Sequence, residues 1–274
     1  MKHHAPLLSL LVLFAVQAFA QISAPLSGFV RYGALPIQKL FGVPGNLVPV
    51  PAGLGSATAI SFSDHGALIA QNGRVRLLGN DGSTVASYDT PESSSNLSIG
   101  RDLTSAVAWL PSTHLLLWSN GKTLSAVTVD DSAFEGRVTS LSRVSPQAVR
   151  FLLTHPDGSV SAVTVSLPGG DLISSDILPG VRGPAFSINS ETFWVDEDGL
   201  QIESATSARR TLAFPSIEDL AAEQMSSHWL HLFSASAGMH WVLRLGDAPP
   251  ILSRIPAPAL QNSGRHLATA EASK

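Results

Sequence analysis

Five tight-turn dipeptides, each set between short apolar runs, constrain this chain more than any other feature. They are Asn72-Gly73, Asp81-Gly82, Asn120-Gly121, Asp157-Gly158 and Asp198-Gly199. Asn-Gly and Asp-Gly supply the positive φ angles of tight hairpin turns, whose twist matches that of the flanking strands. The spacing predicts strands over Ala67–Gln71 and Arg74–Leu78, over Leu115–Ser119 and Thr123–Val129, and over Thr192–Val195 and Leu200–Ser204. This is antiparallel sheet with short connections. One local helix signal stands against it: Ser216-Ile217-Glu218-Asp219 resembles a capping box ahead of residues 220–225. The repeat pattern below makes that segment a strand.

Five segments share one layout, an apolar strand, a polar joint and a second apolar strand. They cover residues 59–71, 106–119, 148–165, 185–197 and 220–234. Aligned on Leu68, Leu115, Val160, Phe193 and Trp229, they recur about every 40 residues, the length of a four-stranded propeller blade. A lone four-stranded sheet has two faces to cover and two raw edges. Packing such sheets face to face in a ring covers the faces and leaves only short edges. The expected fold is therefore all-β, a small β-propeller of about five or six antiparallel blades. Gly28–Tyr32 and Ile37–Val43, joined at Pro36, read as a hairpin. It is expected to close the ring by pairing with the C-terminal blade around Ile251–Ile255.

The N-terminus reads as an address. Lys2 precedes an apolar stretch from Leu7 to Val16, and Ala18-Phe19-Ala20 gives the small-x-small pattern of a cleavage site. The stretch is too short to span a bilayer. The expected organisation is a signal peptide over 1–20, cleaved after Ala20, a propeller domain over 21–256 with its closing hairpin at 21–45, and a disordered tail over 257–274. The expected location is the periplasm or the extracellular space, without stable membrane insertion once the signal is removed. The chain has no cysteine, which removes thiolate metal sites and thiol nucleophiles. The remaining chain of about 254 residues is long enough to bury a core without disulfides. Charged residues make up 14% of the sequence and the net charge is −4, so nucleic acid is a poor partner. An outer-membrane barrel would need aromatic girdles, and two tyrosines with an Ala-Ser-Lys terminus do not supply them.

The segment GFVRYGALPIQKLFGVPG (28–45), followed by joints reading Ser63-Asp64-His65-Gly66 and His155-Pro156-Asp157-Gly158, resembles a set of uncharacterised exported bacterial proteins, notably acidobacterial, of β-propeller-like fold. That resemblance implies a fold and no activity, and it carries over no functional residue.

No motif nominates a catalytic, cofactor-binding or metal-binding residue. Gly121-Lys122-Thr123 lacks the first glycine of a P-loop and lies between two strands, where a hairpin turn explains it. Gly42-Val43-Pro44-Gly45 and Gly53-Leu54-Gly55 read as turns, with no strand–loop–helix around them. Asp196-Glu197-Asp198-Gly199 has cation-binding oxygens but no glutamate at the distal position of a calcium loop, so an acidic hairpin turn is the preferred reading. His228, His231 and His240 cluster with Trp229 and Trp241. Strand alternation separates His228 from His231, while His231 and His240 can face each other if the register allows. Trp118, Trp194 and Trp229 are expected to pack between blades rather than to form a sugar platform. Any acid–base pair chosen among Asp102, Asp130, Asp131, Glu191, Glu218 and Glu223 would be arbitrary.

These readings favour an exported, non-enzymatic binding or scaffolding protein whose partner is a protein or glycan outside the cytoplasm, with no cofactor. The alternative is a carbohydrate-active hydrolase or lyase with its site at the propeller channel. Carboxylates or histidines converging at one end of that channel would favour the enzyme.

Overall fold

A computed structural model describes residues 24–256, apart from residues 92–94, 131, 133, 189–190, 205–206 and 247–248. The expected signal peptide and C-terminal tail lie outside the described residues. The chain forms six antiparallel sheets, each built from consecutive strands. The first has three strands, β1 (Leu26–Val30), β2 (Pro36–Val43) and β3 (Asn46–Ser56). Five four-stranded sheets follow. They are β4 (Ala59–Ser63) to β7 (Thr84–Asp89), β8 (Asn96–Ser98) to β11 (Leu124–Thr128), β12 (Arg137–Ser145) to β15 (Leu172–Arg182), β16 (Ala185–Ile188) to β19 (Ser207–Leu212), and β20 (Leu220–Gln224) to β23 (Ile251–Ile255). The fold is a six-bladed β-propeller with almost no helix.

Turn chemistry sets the hairpins. Between β5 (Gly66–Gln71) and β6 (Arg74–Gly79), Asn72 and Gly73 have φ of 52° and 71°, the pair of positive angles a type I′ turn requires. Gly121-Lys122-Thr123 lies in the turn after β10 (Leu115–Ser119), where Asn120 Oδ1 accepts the Lys122 and Thr123 amides. Asp196-Glu197-Asp198-Gly199 turns β17 (Glu191–Asp196) into β18 (Gly199–Ser204), and Asp196 Oδ1 accepts the Asp198 amide and the Gln201 side-chain amide. Residues 220–224 are strand, as the repeat requires. There, sheet pairing with β21 (Trp229–Ser234) overrides the capping-box signal.

Six apolar clusters fill the six gaps of the ring. One joins the first and second blades through Ile37, Ile60 and Ile69. The next, going round, joins the second and third through Leu68, Leu77 and Ala108. Trp109, Leu116 and Phe151 join the third and fourth, and Leu152, Val160 and Trp194 the fourth and fifth. Phe193, Leu200 and Leu232 join the fifth and sixth. Val30, Tyr32, Leu40, Met225, Val242 and Ile255 join the sixth back to the first.

Two expectations are corrected. The N-terminal hairpin does not pair with the C-terminal blade. β2 pairs with β1 and with β3, and β23 pairs with β22 (Met239–Arg244) to complete a four-stranded sheet of its own. Prolines 49 and 51 and glycines 53 and 55 make β3 look unlike a strand. It lies at the outer edge of its sheet, where a missing N–H costs no ladder bond. The blade alignment also slips by one strand. Leu68, Phe193 and Trp229 lie on second strands, whereas Leu115 and Val160 lie on third strands, β10 and β14 (Ser159–Ser166). His155-Pro156-Asp157-Gly158 is accordingly the second joint of its blade, between β13 (Ala148–Thr154) and β14. True second strands begin at residues 66, 107, 148, 191 and 229, a more even repeat.

Candidate functional site

The inner strands β4, β8, β12, β16 and β20 surround a central pocket of about 640 Å³. From the first blade only Arg31 reaches it. β20 and β4 lie side by side, so the first blade is wedged behind them instead of contributing a strand to the inner ring.

Small polar side chains tie the inner strands together. Gln224 on β20 accepts the Ser61 hydroxyl of β4 at 3.2 Å, and Ser61 Oγ accepts the Ile99 amide just beyond β8 at 3.1 Å. The Asn96 side-chain amide reaches the Val138 carbonyl of β12. From β12, Thr139 donates to the Ala185 carbonyl and Ser140 to the Ser187 carbonyl, and the Ser187 amide donates back to Ser140 Oγ at 3.0 Å. The hydroxyls of Ser61, Thr139 and Ser140 are thus committed to holding blades in register.

At one end, Asp219 accepts the Ser234 hydroxyl and the Ser236 amide. These bonds, the hydroxyl first, hold its carboxyl below the usual range. Arg137 and His114 line the same pocket, and His114 has φ of 53°. Further along β20, Glu223 Oε1 accepts Arg31 Nε at 2.9 Å and Nη2 at 2.5 Å. Behind it lies His231, fully buried, whose Nε2 meets His240 Nδ1 at 2.9 Å. His231 Nδ1 stands 3.9 Å from Glu223 Oε2, an electrostatic contact too long for a hydrogen bond. Tyr32 from the first blade packs edge-on to both imidazoles, with centroids 4.8 Å from His240 and 5.7 Å from His231. Burial pushes the Tyr32 phenol up to about 12. Burial also lowers both imidazoles, overriding the Glu223 carboxylate at His231. At His240 the His231 ring adds to it and takes the value to about 4.

This row is set by register. Glu223 pairs with His231 across β20 and β21, and Phe233 pairs with His240 across β21 and β22, so all four side chains share the face turned to the first blade. The sequence offered half of this: His231 and His240 do face each other. It named Glu223 only as one carboxylate among six and gave no reason to join it to Arg31, 192 residues away.

The remaining sequence candidates disperse. Asp102 caps a short 3-10 turn, Asp130 accepts the Ser132 amide, and Glu191 pairs with Arg210. Asp131 lies outside the described residues. Among the described residues no group of three or more His, Asp or Glu side chains is arranged to hold a metal ion. Trp194 is fully buried between the fourth and fifth blades, with the Arg209 guanidinium 4.8 Å over its ring. Trp118 and Trp229 pack, partly buried, at two other interfaces. A second cavity of about 520 Å³ lies where the first, second and sixth blades meet, beside Gly28, Phe62 and Trp229.

No protein-family model matches the chain, and no curated protein matches it. Among solved structures it is similar to Hsv2p of Kluyveromyces lactis, at 9% identity over 81% of this chain and 83% of that one, with a TM-score of 0.39. It is similar to the WD40 domain of SCAP from fission yeast, at 10% identity over 86% and 76%, TM-score 0.40. It is also similar to PorZ of Porphyromonas gingivalis, described as a bacterial surface component of the type-IX secretion system, at 12% identity and TM-score 0.46. That match covers 85% of this chain and 38% of PorZ. The chain is a β-propeller with WD40 domains among its structural neighbours.

Proposed function

We propose that this protein is exported, cleaved after Ala20, and acts as a non-enzymatic binding or scaffolding propeller for a protein or glycan partner outside the cytoplasm. One observation carries the reading. The two carboxylates that line the central pocket are already engaged, Glu223 by Arg31 and Asp219 by Ser234 and Ser236. The inner-strand hydroxyls of Ser61, Thr139 and Ser140 are spent on inter-blade bonds. Carboxylates tied to a guanidinium or to hydroxyl and amide donors are poorly placed to shuttle a proton in acid–base catalysis, whereas the pocket's remaining polar atoms can recognise a ligand by shape and hydrogen bonding. Among the described residues no helix is long and apolar enough to cross a membrane.

The test is fractionation of a bacterium expressing the chain with a C-terminal tag, followed by incubation of the recovered protein with cell-envelope polysaccharide and envelope protein. Export with saturable retention of one fraction, and no release of reducing ends, is expected. Recovery only from the cytoplasm would overturn the export reading, and release of reducing ends would replace the binding module with the hydrolase.

A further inference from the structure

The central pocket keeps several polar atoms that no protein group satisfies. Glu223 Oε2 and Gln224 Nε2 are buried and lack a hydrogen-bond partner, as do Ser95 Oγ and His114 Nδ1. All four residues line the pocket, and Gln224, at 8% exposure, is a nine-tenths buried amide with its oxygen already bonded to Ser61 and its NH₂ spare. The spare set mixes functions. The Gln224 nitrogen only donates, the ionised Glu223 oxygen only accepts, and the serine hydroxyl and imidazole nitrogen each do either. Buried polar groups left unpaired reward any ligand that pairs them.

Charge narrows the class. Glu223 is neutralised by Arg31, and the pocket's remaining carboxylate and guanidinium, Asp219 and Arg137, are of opposite sign. Neither an anion nor a cation finds a matching excess. A neutral molecule whose groups both donate and accept fits, and a ring of hydroxyls is that molecule. At about 640 Å³ the cavity lies in the range of small-molecule sites.

We propose that the central pocket binds a neutral polyhydroxylated ligand, a sugar residue, with the Gln224 amide and the His114 ring among its hydrogen-bonding contacts. The proposal rests on the binding-module reading and names its ligand class.

The test is calorimetric titration of the purified chain with neutral disaccharides, a uronic-acid disaccharide and a short neutral peptide. Saturable binding of a neutral disaccharide is expected, with affinity reduced at least tenfold by Gln224→Leu. His114→Asn keeps a residue that tolerates positive φ and is expected to weaken binding several-fold, which serves if Gln224→Leu does not fold. No binding of any neutral saccharide, stronger binding of the uronic acid or of the peptide, or affinity unchanged in a folded variant would each overturn the proposal. Retention of an envelope partner by a chain that binds no saccharide would sink this pocket and leave the general binding role standing.

Discussion

Between the third and fourth blades, Trp109, Phe134 and Phe151 stack and cross at ring distances of 4.9–5.4 Å within a cluster of buried aliphatic side chains. Between the sixth and first blades the same gap holds an ion pair, two imidazoles and a phenol beside a smaller apolar cluster. The first interface joins neighbours in sequence, whose short connection already fixes how they meet. The second joins the two ends of the chain. An apolar face tolerates sliding, whereas a carboxylate that must meet a guanidinium at one position does not. The polar groups of this seam give the closing blade its register, and the apolar residues around them give it adhesion.

The bluntest way to break the seam is to delete residues 21–45. That removes β1 and β2 with Val30, Ile37 and Leu40, strips β3 of its partner, and exposes the faces of the sixth and second blades that those side chains cover. Loss of a cooperative thermal transition is expected in circular dichroism. An unchanged melting temperature would mean the five four-stranded blades close without the first.

A sharper comparison uses two ion pairs. Arg31 and Glu223 have side-chain exposures of 15% and 9%, while Arg209 and Glu203 have 43% and 45%. Glu223→Ala leaves a nearly buried guanidinium unpaired and is expected to cost about 3–5 kcal/mol. Glu203→Ala is expected to cost about 0.5 kcal/mol or less. Urea denaturation of both variants measures the difference, and equal losses would show that the seam pair is not special.

Backbone contact at the seam gives a smaller effect. β1 approaches the sixth blade closely enough for the Phe29 amide to donate to the Met225 carbonyl at 3.1 Å. Gly28 sits there with φ of 151°, and a Cβ on it would lie 2.6 Å from the Met225 carbonyl oxygen. Gly28→Ala is expected to cost about 1–3 kcal/mol. Gly33→Ala, on the same blade with φ of 57° and open space around it, carries the conformational cost alone and is expected to lose less. The same denaturation series ranks them.

The contrast between these interfaces also explains what the sequence made legible. Hairpin turns were readable because Asn72-Gly73 encodes its geometry in two adjacent residues, and because a glycine such as Gly199 supplies the positive φ where a strand leaves its turn. The propeller was readable because strand and joint recur at blade length. The phase of the repeat was not, since β9 (Val107–Leu110), β10, β13 and β14 are all apolar enough to serve as a second strand. β3 and β15 were missed because each is an outer-edge strand that carries proline and glycine freely. At the pocket, His231 and His240 were within reach of a register argument, being close in one hairpin. Arg31, Glu223 and the spare amide of Gln224 gain meaning only from the ring, which brings a first-blade arginine against the last blade's inner strand.

Proton uptake by the two imidazoles probes the seam. The charged and titratable groups facing its imidazoles are Glu223 and Arg31 on one side and Tyr32 on the other. His240 protonates near 4 in the folded protein and near 6.5 when unfolded, and His231 shifts in the same direction because it is buried. As pH falls from about 6.5 toward 4 the unfolded chain takes up protons that the folded one refuses. Stability is therefore present above 6.5 and lost through that window. For the partly buried His240 ring the loss is about 1–2 kcal/mol after solvent screening. Carboxylates held low by hydrogen bonds, such as Asp157 and Asp219, act only at still lower pH. On the alkaline side the sign reverses for Tyr32. Its contribution is present below pH 10 and lost as pH rises through about 12. Melting temperatures from pH 4.5 to 7.5 are expected to fall with acidity in the native chain and to fall less steeply in His240→Phe. An identical slope in that variant would place the acid sensitivity outside the seam, and the closing interface would then titrate no differently from the apolar ones.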